Sequence, residues 1–303
     1  MIENQSGLFL VKNVLVTLRH LLHPYGFEIA PFLMGWYQEV VHSCGPGTKN
    51  AVGLHPHSVA FCIMSNPDMF DLSFLSHLSS WFRPGVNSFK QAIAPLQPIL
   101  AQNINAPNRN DLLDWSVFLR LQSSLNACIR EVSRSLSAEQ QNAIGKVHYF
   151  PDYCLTPLPG LPFIHVQASA HVSGLAYFHR PSESMKKVTY KTTLAGCSMH
   201  PAYGGWFGLR GIFLFPDCRC SSLPRPQPRS SVPPGIPPFP EDKIEELLRE
   251  YNTRWRTNVW RNFGLPSNKR NLYSKAARAY FNTMAPRRAE LLEDWFIHGH
   301  LPE

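Results

Sequence analysis

The residues that most suggest chemistry are arginines set among aromatic side chains toward the C-terminal end: Arg210, Arg256, Arg261 and Arg288. An arginine among apolar neighbours needs an anionic partner, because an unpaired buried charge is costly. A carboxylate or a phosphate would satisfy the planar guanidinium through paired hydrogen bonds. The alternative is a set of surface arginines whose apolar stems lie on aromatic rings. The residue pattern leaves both interpretations open.

Aromatic residues near these arginines could line a flat ligand: Trp206, Phe207, Trp255 and Trp260. Large rings bury much area and stack on planar groups, but they also build ordinary protein cores.

The sequence H-V-S-G at 171–174 places one histidine before a glycine. Imidazole suits a borderline metal ion such as cobalt, so His171 is either a ligand or a packed structural residue.

Several common site motifs are missing from the sequence. There is no Gly-rich P-loop, no G-x-G-x-x-G and no G-x-S-x-G. The pairs His55-x-His57 and His298-x-His300 lack further ligands at convincing spacing, so no resident metal is predicted. From motifs alone the chain is a basic α+β protein that could bind an anionic small molecule.

Composition limits the class of protein. The chain has 303 residues, 44% of them hydrophobic and 17% charged, which suits a globular fold with a real core. A net charge of +8 without a Lys/Arg-rich block argues against general binding of polyanions such as nucleic acid and leaves room for an anion pocket. Seven cysteines without C-x-x-C suggest free thiols in a reducing cytoplasm. No signal peptide or membrane span is predicted.

Apolar periodicity predicts the elements that must position these residues. Helical spacing is expected from about residue 10 to Pro24, from Asn66 to Trp81, and over 111–136, 241–262 and 286–297. The run SVAFCIM at 58–64 predicts a strand. Apolar stretches at 147–153, 163–180, 188–200 and 203–216 predict one sheet with it. The fold class is therefore α+β, with a mixed sheet flanked by helices.

Composition also divides the chain. Residues 1–220 are predicted to form the core, with the Pro/Asn/Gln-rich stretch 84–108 as a surface insertion. Residues 221–240 hold eight prolines and predict an irregular crossing. Residues 241–303 predict a helical cap packed on the core as part of one functional unit.

Six segments together resemble the CblC family of cobalamin-processing proteins. They follow the family's order over roughly residues 14–296: HPYGFEIAPF (23–32), GWYQEVV (35–41), SNPDMFD (65–71), SAHVSGLAYF (169–178), GCSMHPAYGGWFGLRG (196–211) and AYFNTMAPRRAELL (279–292). The resemblance implies a fold similar to flavin-dependent nitroreductases. It also implies a cavity that holds cobalamin with its lower base detached.

The resemblance implies two reactions on cobalamin. Cyanocobalamin is reductively decyanated with electrons from reduced FMN or FAD, or from a thiol. Alkylcobalamins are dealkylated by glutathione, whose thiolate attacks the cobalt-bound carbon. Nearby guanidinium groups would hold the carboxylates of glutathione and favour its thiolate. The family's glutathione-binding arginines correspond to Arg210, Arg261 and Arg288.

The family's cobalamin contacts correspond to ten residues: Asp152, Ile164, His165, Val166, Gln167, Phe178, His179, Arg180, Ser198 and Leu209. Some depart from the family pattern. His165 stands in an otherwise aliphatic run, and Phe178, His179 and Arg180 replace a Tyr-Tyr-Gln-like run. Ser198 stands where a cysteine is often found. His171 is kept as a structural residue.

The resemblance also implies a role in cobalamin delivery. The implied partners are a CblD-like adaptor protein, cobalamin-dependent enzymes and a second copy of the chain in a ligand-induced homodimer. Two other functions remain open: a non-catalytic cobalamin carrier, and a flavin-dependent nitroreductase relative without cobalamin. A pure carrier has no need of a glutathione site, so the three arginines favour the enzyme.

Overall fold

The computed structural model describes residues 2–42, 54–102, 111–155, 162–182, 194–226, 239–269 and 272–302. Its helices, in chain order, are α1 Ile2–Leu22, α2 Met34–His42, α3 Ser76–Trp81, α4 Phe89–Ile93, α5 Gln97–Ala101, α6 Leu112–Ser133, α7 Ala138–Gly145, α8 Val166–Val172, α9 Glu241–Arg254, α10 Lys275–Asn282 and α11 Arg288–Phe296. Its strands are β1 Phe27–Leu33, β2 Ser58–Ser65, β3 His148–Phe150, β4 Tyr177–His179, β5 Cys197–Met199 and β6 Gly208–Arg219.

The strands form a four-stranded sheet in the order β1-β2-β6-β3 and a separate two-stranded sheet of β4 and β5. All of these strand pairs are antiparallel. The α+β class predicted from the sequence is confirmed. The predictions of one sheet and of mixed strand direction are wrong for the described strands, because apolar runs reveal a strand but not its partner.

The larger sheet is covered on both faces. Along β2, Val59, Phe61 and Ile63 join a core cluster that includes α1 and α6. The alternate residues Ala60, Cys62 and Met64 join a second cluster that includes α2 and α8. Side chains of a strand alternate between faces, so burial on both sides explains the unbroken apolar run of this segment.

The C-terminal helices pack in two places. Leu247 and Leu248 of α9 pack with Cys197, Met199 and Trp260 in a small cluster beside β5. Helices α10 and α11 instead contribute Tyr280, Leu292 and Trp295 to the main core. The segment 241–303 therefore covers β5 with its first helix and completes the central core with its last two.

The structure corrects two local predictions. Residues 166–172, inside the apolar stretch predicted as strand, form helix α8 because His165 caps its first turn. The described part of the predicted surface insertion forms α4 and α5, and it buries Ala92, Ile93 and Leu96 in the core. Residues 103–108 of that insertion and 227–238 of the Pro-rich crossing lie outside the described residues.

None of the described helices has the length and apolar content needed to cross a membrane.

Candidate functional site

A cavity of about 650 Å³ lies where the first residues of β6 meet β5 and α9. Its volume falls within the usual range of small-molecule sites. Seven of the predicted site residues line it: Asp152, Val166, Gln167, Ser198, Leu209, Arg210 and Arg261. We call this space the candidate cavity, since the structure brings these residues together from distant parts of the chain.

Arg210 is the extra residue of a β-bulge. Ile63 of β2 pairs with Gly211 and Met64 pairs with Leu209, which leaves Arg210 without an opposing residue. Bulges redirect side chains and often lie beside functional sites. Gly211 adopts a positive φ of 111°, and a Cβ there would lie 2.1 Å from the Phe150 carbonyl oxygen. Glycine is therefore required beside the arginine.

The Arg210 guanidinium is held in place by a serine hydroxyl. Its Nε donates to Ser65 Oγ at 2.9 Å, and its backbone carbonyl accepts a hydrogen bond from Tyr149 Oη at 3.0 Å. A Cβ on Gly208 would lie 2.9 Å from the guanidinium carbon, so glycine leaves room for it. Its two terminal nitrogens have no hydrogen-bond partner among the described residues. Those two groups form the fork that binds a carboxylate.

Arg261 is held by its own set of partners. Its Nε donates to Asn258 Oδ1 at 2.9 Å, and its Nη1 donates to the Gly205 carbonyl. Its guanidinium lies 4.6 to 5.8 Å from the centres of three aromatic rings: Trp206, Trp260 and Tyr273. These cation–π contacts and hydrogen bonds fix the charge at the wall of the candidate cavity.

The paired glycines before β6 allow two segments of backbone to approach closely. Gly205 N–H donates to the Arg261 carbonyl at 2.8 Å. A Cβ on Gly205 would lie 2.5 Å from the Trp260 ring, and a Cβ on Gly204 would lie 2.2 Å from the Arg261 carbonyl oxygen. The glycines thus place Arg261 beside the strand that carries Arg210.

Arg288 is placed away from the candidate cavity. Its Nη1 lies 2.5 Å from Asp111 Oδ2, and its Nε donates to the Thr283 carbonyl at 3.2 Å. Asp111 also accepts hydrogen bonds from Tyr280 Oη and from the backbone N–H of Leu113. Arg288 is not among the residues lining the candidate cavity, and one of its terminal nitrogens is already paired with Asp111, so the structure brings only two of the three predicted arginines to this cavity.

Cys197 and Ser198 line the candidate cavity with different chemistry. Burial raises the pKa of the Cys197 thiol to about 12, so the thiol stays protonated near neutral pH. The Ser198 side chain is 7% exposed, and its Oγ has no hydrogen-bond partner among the described residues. A buried hydroxyl without a partner is costly, and a ligand in the cavity could satisfy it.

The predicted run 164–167 contributes both lining and support. Gln167 lines the cavity and donates from Nε2 to the Gly196 carbonyl at 3.2 Å. Ile164 is buried in the second core cluster. His165 Nδ1 accepts from the Ala168 N–H at 3.1 Å as the N-cap of α8, and burial lowers the pKa of its ring. Ile164 and His165 therefore lie behind the cavity wall and support it.

In the predicted run 178–180, Phe178 and His179 lie on β4 and Arg180 follows it, and none of the three lines the cavity. Phe178 packs against Gly196, where a Cβ would lie 2.6 Å from its ring. His179 is buried, and its pKa is lowered to about 4 by burial and by the nearby His171. Arg180 is exposed. Phe178 and His179 pair with Ser198 and Cys197 across β4 and β5, so they support the cavity wall from the neighbouring strand. Direct contacts of this run with cobalamin stay a prediction.

His171 has a structural place in the fold. Its Nδ1 accepts from the Phe178 N–H at 3.3 Å, and its ring meets Tyr177 edge-on at 5.0 Å. These contacts join α8 to β4. In the described part of the chain, no cluster of three or more His, Cys, Asp or Glu residues could hold a metal ion.

Sequence reasoning missed three residues that shape this site: Ser65, Tyr251 and Asn252. Asn252 of α9 accepts from the Ala195 N–H and donates to the Ala195 carbonyl, both at 2.9 Å, which holds α9 against the chain before β5. Trp255, one of the aromatics noted from the sequence, lies at the cavity and is 57% exposed. Only the strand pairing and helix docking bring these residues together, so spacing along the chain gave no signal.

Comparison with known proteins identifies the family of this chain. The human cyanocobalamin reductase / alkylcobalamin dealkylase is 28% identical over 275 residues, covering 89% of this chain and 78% of that protein. The zebrafish (Danio rerio) protein of the same name is 27% identical and covers 94% of each. A Caenorhabditis elegans MMACHC-like protein is 25% identical, with 90% of each covered.

The fold has a solved counterpart. The crystal structure of a C. elegans B12-trafficking protein, CblC, superposes with a TM-score of 0.67 at 22% identity, covering 95% of this chain and 97% of that one. The sequence model of the methylmalonic aciduria and homocystinuria type C family matches residues 26–292. The predicted family resemblance is confirmed: the chain belongs to the methylmalonic aciduria and homocystinuria type C family.

Proposed function

We propose that this chain processes cobalamin, as a decyanase of cyanocobalamin and a glutathione-dependent dealkylase of alkylcobalamins. The relatives named cyanocobalamin reductase / alkylcobalamin dealkylase support the reaction class. The observation that carries the proposal for this chain is the pair Arg210 and Arg261, whose guanidinium groups are held at one cavity. Glutathione carries two carboxylates, which two fixed cations would bind.

Cobalamin is the substrate, and the candidate cavity would hold the part of it that reacts. A corrinoid exceeds the usual size of a cavity ligand, so the remainder would extend beyond these walls. Gln167 and Ser198 supply polar groups, while Leu209 and Val166 supply apolar contacts. The unpartnered Ser198 hydroxyl would bind a polar group of the ligand, in place of the thiol often found there in the family.

Dealkylation would transfer the alkyl group to sulfur. The thiol of glutathione loses its proton, and the thiolate attacks the carbon bound to cobalt. A carbon–sulfur bond forms, the cobalt–carbon bond breaks, and its electron pair stays on cobalt as cob(I)alamin. Arg210 and Arg261 would hold the glutathione carboxylates, and their positive charge would favour the thiolate over the thiol.

Decyanation would need an external electron donor. One electron reduces the cobalt from the +3 to the +2 state, and cyanide leaves with the electron pair of its bond. Cys197 is buried and protonated, so a reductant from solution is the better donor. A reduced flavin would supply electrons, and the exposed face of Trp255 would hold its flat ring. The nitroreductase-like character of the fold remains a prediction.

The proposal also includes delivery of the processed cobalamin to other proteins. A cytoplasmic processing protein would pass its product to a CblD-like adaptor and to cobalamin-dependent enzymes, and it would pair with a second copy on binding ligand. The rival functions are a cobalamin carrier without turnover and a flavin enzyme without cobalamin. The two held arginines favour the enzyme, since neither rival needs a binding site for a dicarboxylate thiol.

Incubation of the pure protein with methylcobalamin and glutathione in the dark tests the proposal. We expect the visible spectrum to change on mixing and then to shift from methylcobalamin to reduced or aquated cobalamin only when glutathione is present. Binding without loss of the methyl group would favour the carrier. No spectral change on mixing would contradict both cobalamin functions.

A further inference from the structure

We infer that Ser65 is a positioning residue that aims Arg210 at the thiol substrate, an inference that rests on the proposed function. Ser65 is the last residue of β2 and is 2% exposed. Its Oγ accepts a hydrogen bond from Arg210 Nε at 2.9 Å and donates one to the Gly208 carbonyl at 3.3 Å. A serine hydroxyl has one donor and two acceptor sites, so both bonds form at once.

The two hydrogen bonds of the Ser65 hydroxyl have different consequences. The bond to Gly208 joins β2 to β6 at a point where Ser65 and Gly208 are already paired in register. The bond to Arg210 occupies Nε, the nitrogen on the inner side of the guanidinium. The two terminal nitrogens have no hydrogen-bond partner among the described residues. A carboxylate bound to them would form two parallel hydrogen bonds, whose strength depends on the orientation of the plane.

The Arg210 side chain needs the hydrogen bond to Ser65 to fix its position, because Arg210 stands at a bulge. Its backbone has no opposing residue on β2, so strand pairing alone does not fix its side chain. Long arginine side chains have many rotamers, and a single bond near the guanidinium removes most of that freedom. The missing Cβ of Gly208 leaves the space that the guanidinium then fills.

The same strand provides a matched control. Ser58, at the opposite end of β2, is also buried, and its Oγ donates to the Pro216 carbonyl of β6 at 2.6 Å. Ser58→Ala therefore removes a buried serine bond between the same two strands without touching Arg210. Any loss that Ser65→Ala shows beyond Ser58→Ala reports on the arginine.

The experiment compares the two variants with two thiols, glutathione and cysteamine, in dealkylation of methylcobalamin. Cysteamine has no carboxylate, so it does not use the arginine fork. We expect Ser65→Ala to raise the KM for glutathione about three- to tenfold, the scale of one ordinary hydrogen bond, since Arg210 itself keeps its charge. Its rate with cysteamine and its affinity for methylcobalamin should stay within about twofold of the wild type, as should every value for Ser58→Ala.

A second variant keeps the inference testable if Ser65→Ala folds poorly. In Gly208→Ala the new Cβ would lie 2.9 Å from the Arg210 guanidinium and 3.0 Å from Ser65 Oγ, so it displaces the same group. We expect the same selective loss with glutathione. An equal loss with both thiols, or no loss in either variant, would overturn the role of Ser65. A wild-type protein that never removes the methyl group would instead contradict the proposed function itself.

Discussion

At the scale of single residues, the central feature is Arg210, whose backbone conformation and side-chain position are both fixed by neighbouring residues. The bulge at Arg210 frees the side chain from strand pairing, Gly211 supplies the positive φ, and Ser65 holds Nε. Arg261 reaches the same cavity from another segment, held by Asn258 and Gly205. Two cations with fixed orientations can bind two carboxylates with little loss of side-chain entropy.

Arg210→Gln tests the cation directly. The change keeps a polar side chain but removes the charge and the fork, so the KM for glutathione should rise about ten- to hundredfold. Affinity for methylcobalamin should change little, because the proposed contact of Arg210 is to a carboxylate of glutathione. Steady-state kinetics with varied glutathione and a spectral titration of methylcobalamin measure the two effects. Equal loss of both would refute the assigned role.

Seven residues that the family resemblance predicted for the site, Arg210 and Arg261 among them, line the candidate cavity, but the sequence did not point to Ser65. The reason is that Ser65 and Arg210 are 145 residues apart and meet only through the register of β2 and β6. The sequence also grouped Arg288 with them. Its ion pair with Asp111 depends on the docking of α11 against α6, which residue types do not reveal.

At the scale of elements, the cavity forms where three elements end or begin. Strand β6 brings Leu209 and Arg210, strand β5 brings Ser198, and α9 closes one side through the two Asn252 bonds to Ala195. Periodicity predicted the β2 and β6 strands and the long helix α6. It missed α8 because seven residues are too few to show a helical period, and the cap supplied by His165 is an unusual one.

Gly211→Ala should damage the bulge that presents Arg210. The new Cβ would meet the Phe150 carbonyl oxygen, and the positive φ would strain the backbone. We expect a loss of at least about 2 kcal/mol in the free energy of unfolding. Gly145→Ala is the control, since a Cβ there has open space around it. Urea denaturation measures both, and similar stability of the two variants would argue against a required glycine.

Arg288→Gln should weaken the attachment of α11 to α6. The Arg288 and Asp111 side chains are only 21% and 17% exposed, so their ion pair is partly shielded from water. We expect a loss of about 1–3 kcal/mol in the free energy of unfolding. The neighbouring pair Arg287 and Glu290 is exposed, so Arg287→Gln should cost at most about 0.5 kcal/mol.

The same Arg288→Gln variant separates structure from binding. Because Arg288 does not line the candidate cavity and one of its terminal nitrogens is paired with Asp111, the KM of this variant for glutathione should match that of the wild type once the protein is folded. A rise in that KM comparable to the effect of Arg210→Gln, without a loss of stability, would show that Arg288 contacts glutathione as the family resemblance implies.

At the scale of the whole molecule, a four-stranded sheet with two covered faces supports the candidate cavity at the first residues of β6. The core clusters on the two faces place α1, α6, α10 and α11 on one side and α2 and α8 on the other. The α+β class and the family were predictable because both depend on patterns within segments. The separation into two sheets and the packing of residues 84–102 were not, since they depend on contacts between distant segments.

Buried histidines should make the folded state sensitive to acid. The pKa of His179 is lowered from 6.5 to about 4, mainly by burial, and that of His77 is lowered likewise, by burial and by Arg120. The unfolded chain takes up these protons below about pH 6.5, whereas the folded chain does so only near pH 4. Stability is therefore full above pH 6.5 and falls as the pH drops toward 4.

Urea unfolding at pH 7.5 and pH 5 measures this loss. We expect His179 to contribute about 1–3 kcal/mol of it, so His179→Asn should flatten the pH dependence. His20→Asn, which changes an exposed histidine of α1, should leave the slope unchanged. A His179→Asn slope identical to that of the wild type would show that folding does not lower the pKa of this histidine.

The central claim is that the chain transfers an alkyl group from cobalt to the sulfur of glutathione. The most direct test supplies methylcobalamin with a deuterium-labelled methyl group and identifies the products by mass spectrometry. We expect one labelled S-methylglutathione for each methylcobalamin consumed, with Arg210→Gln forming it more slowly at limiting glutathione. Consumption of methylcobalamin without labelled thioether, or labelled thioether formed equally fast without protein, would contradict it.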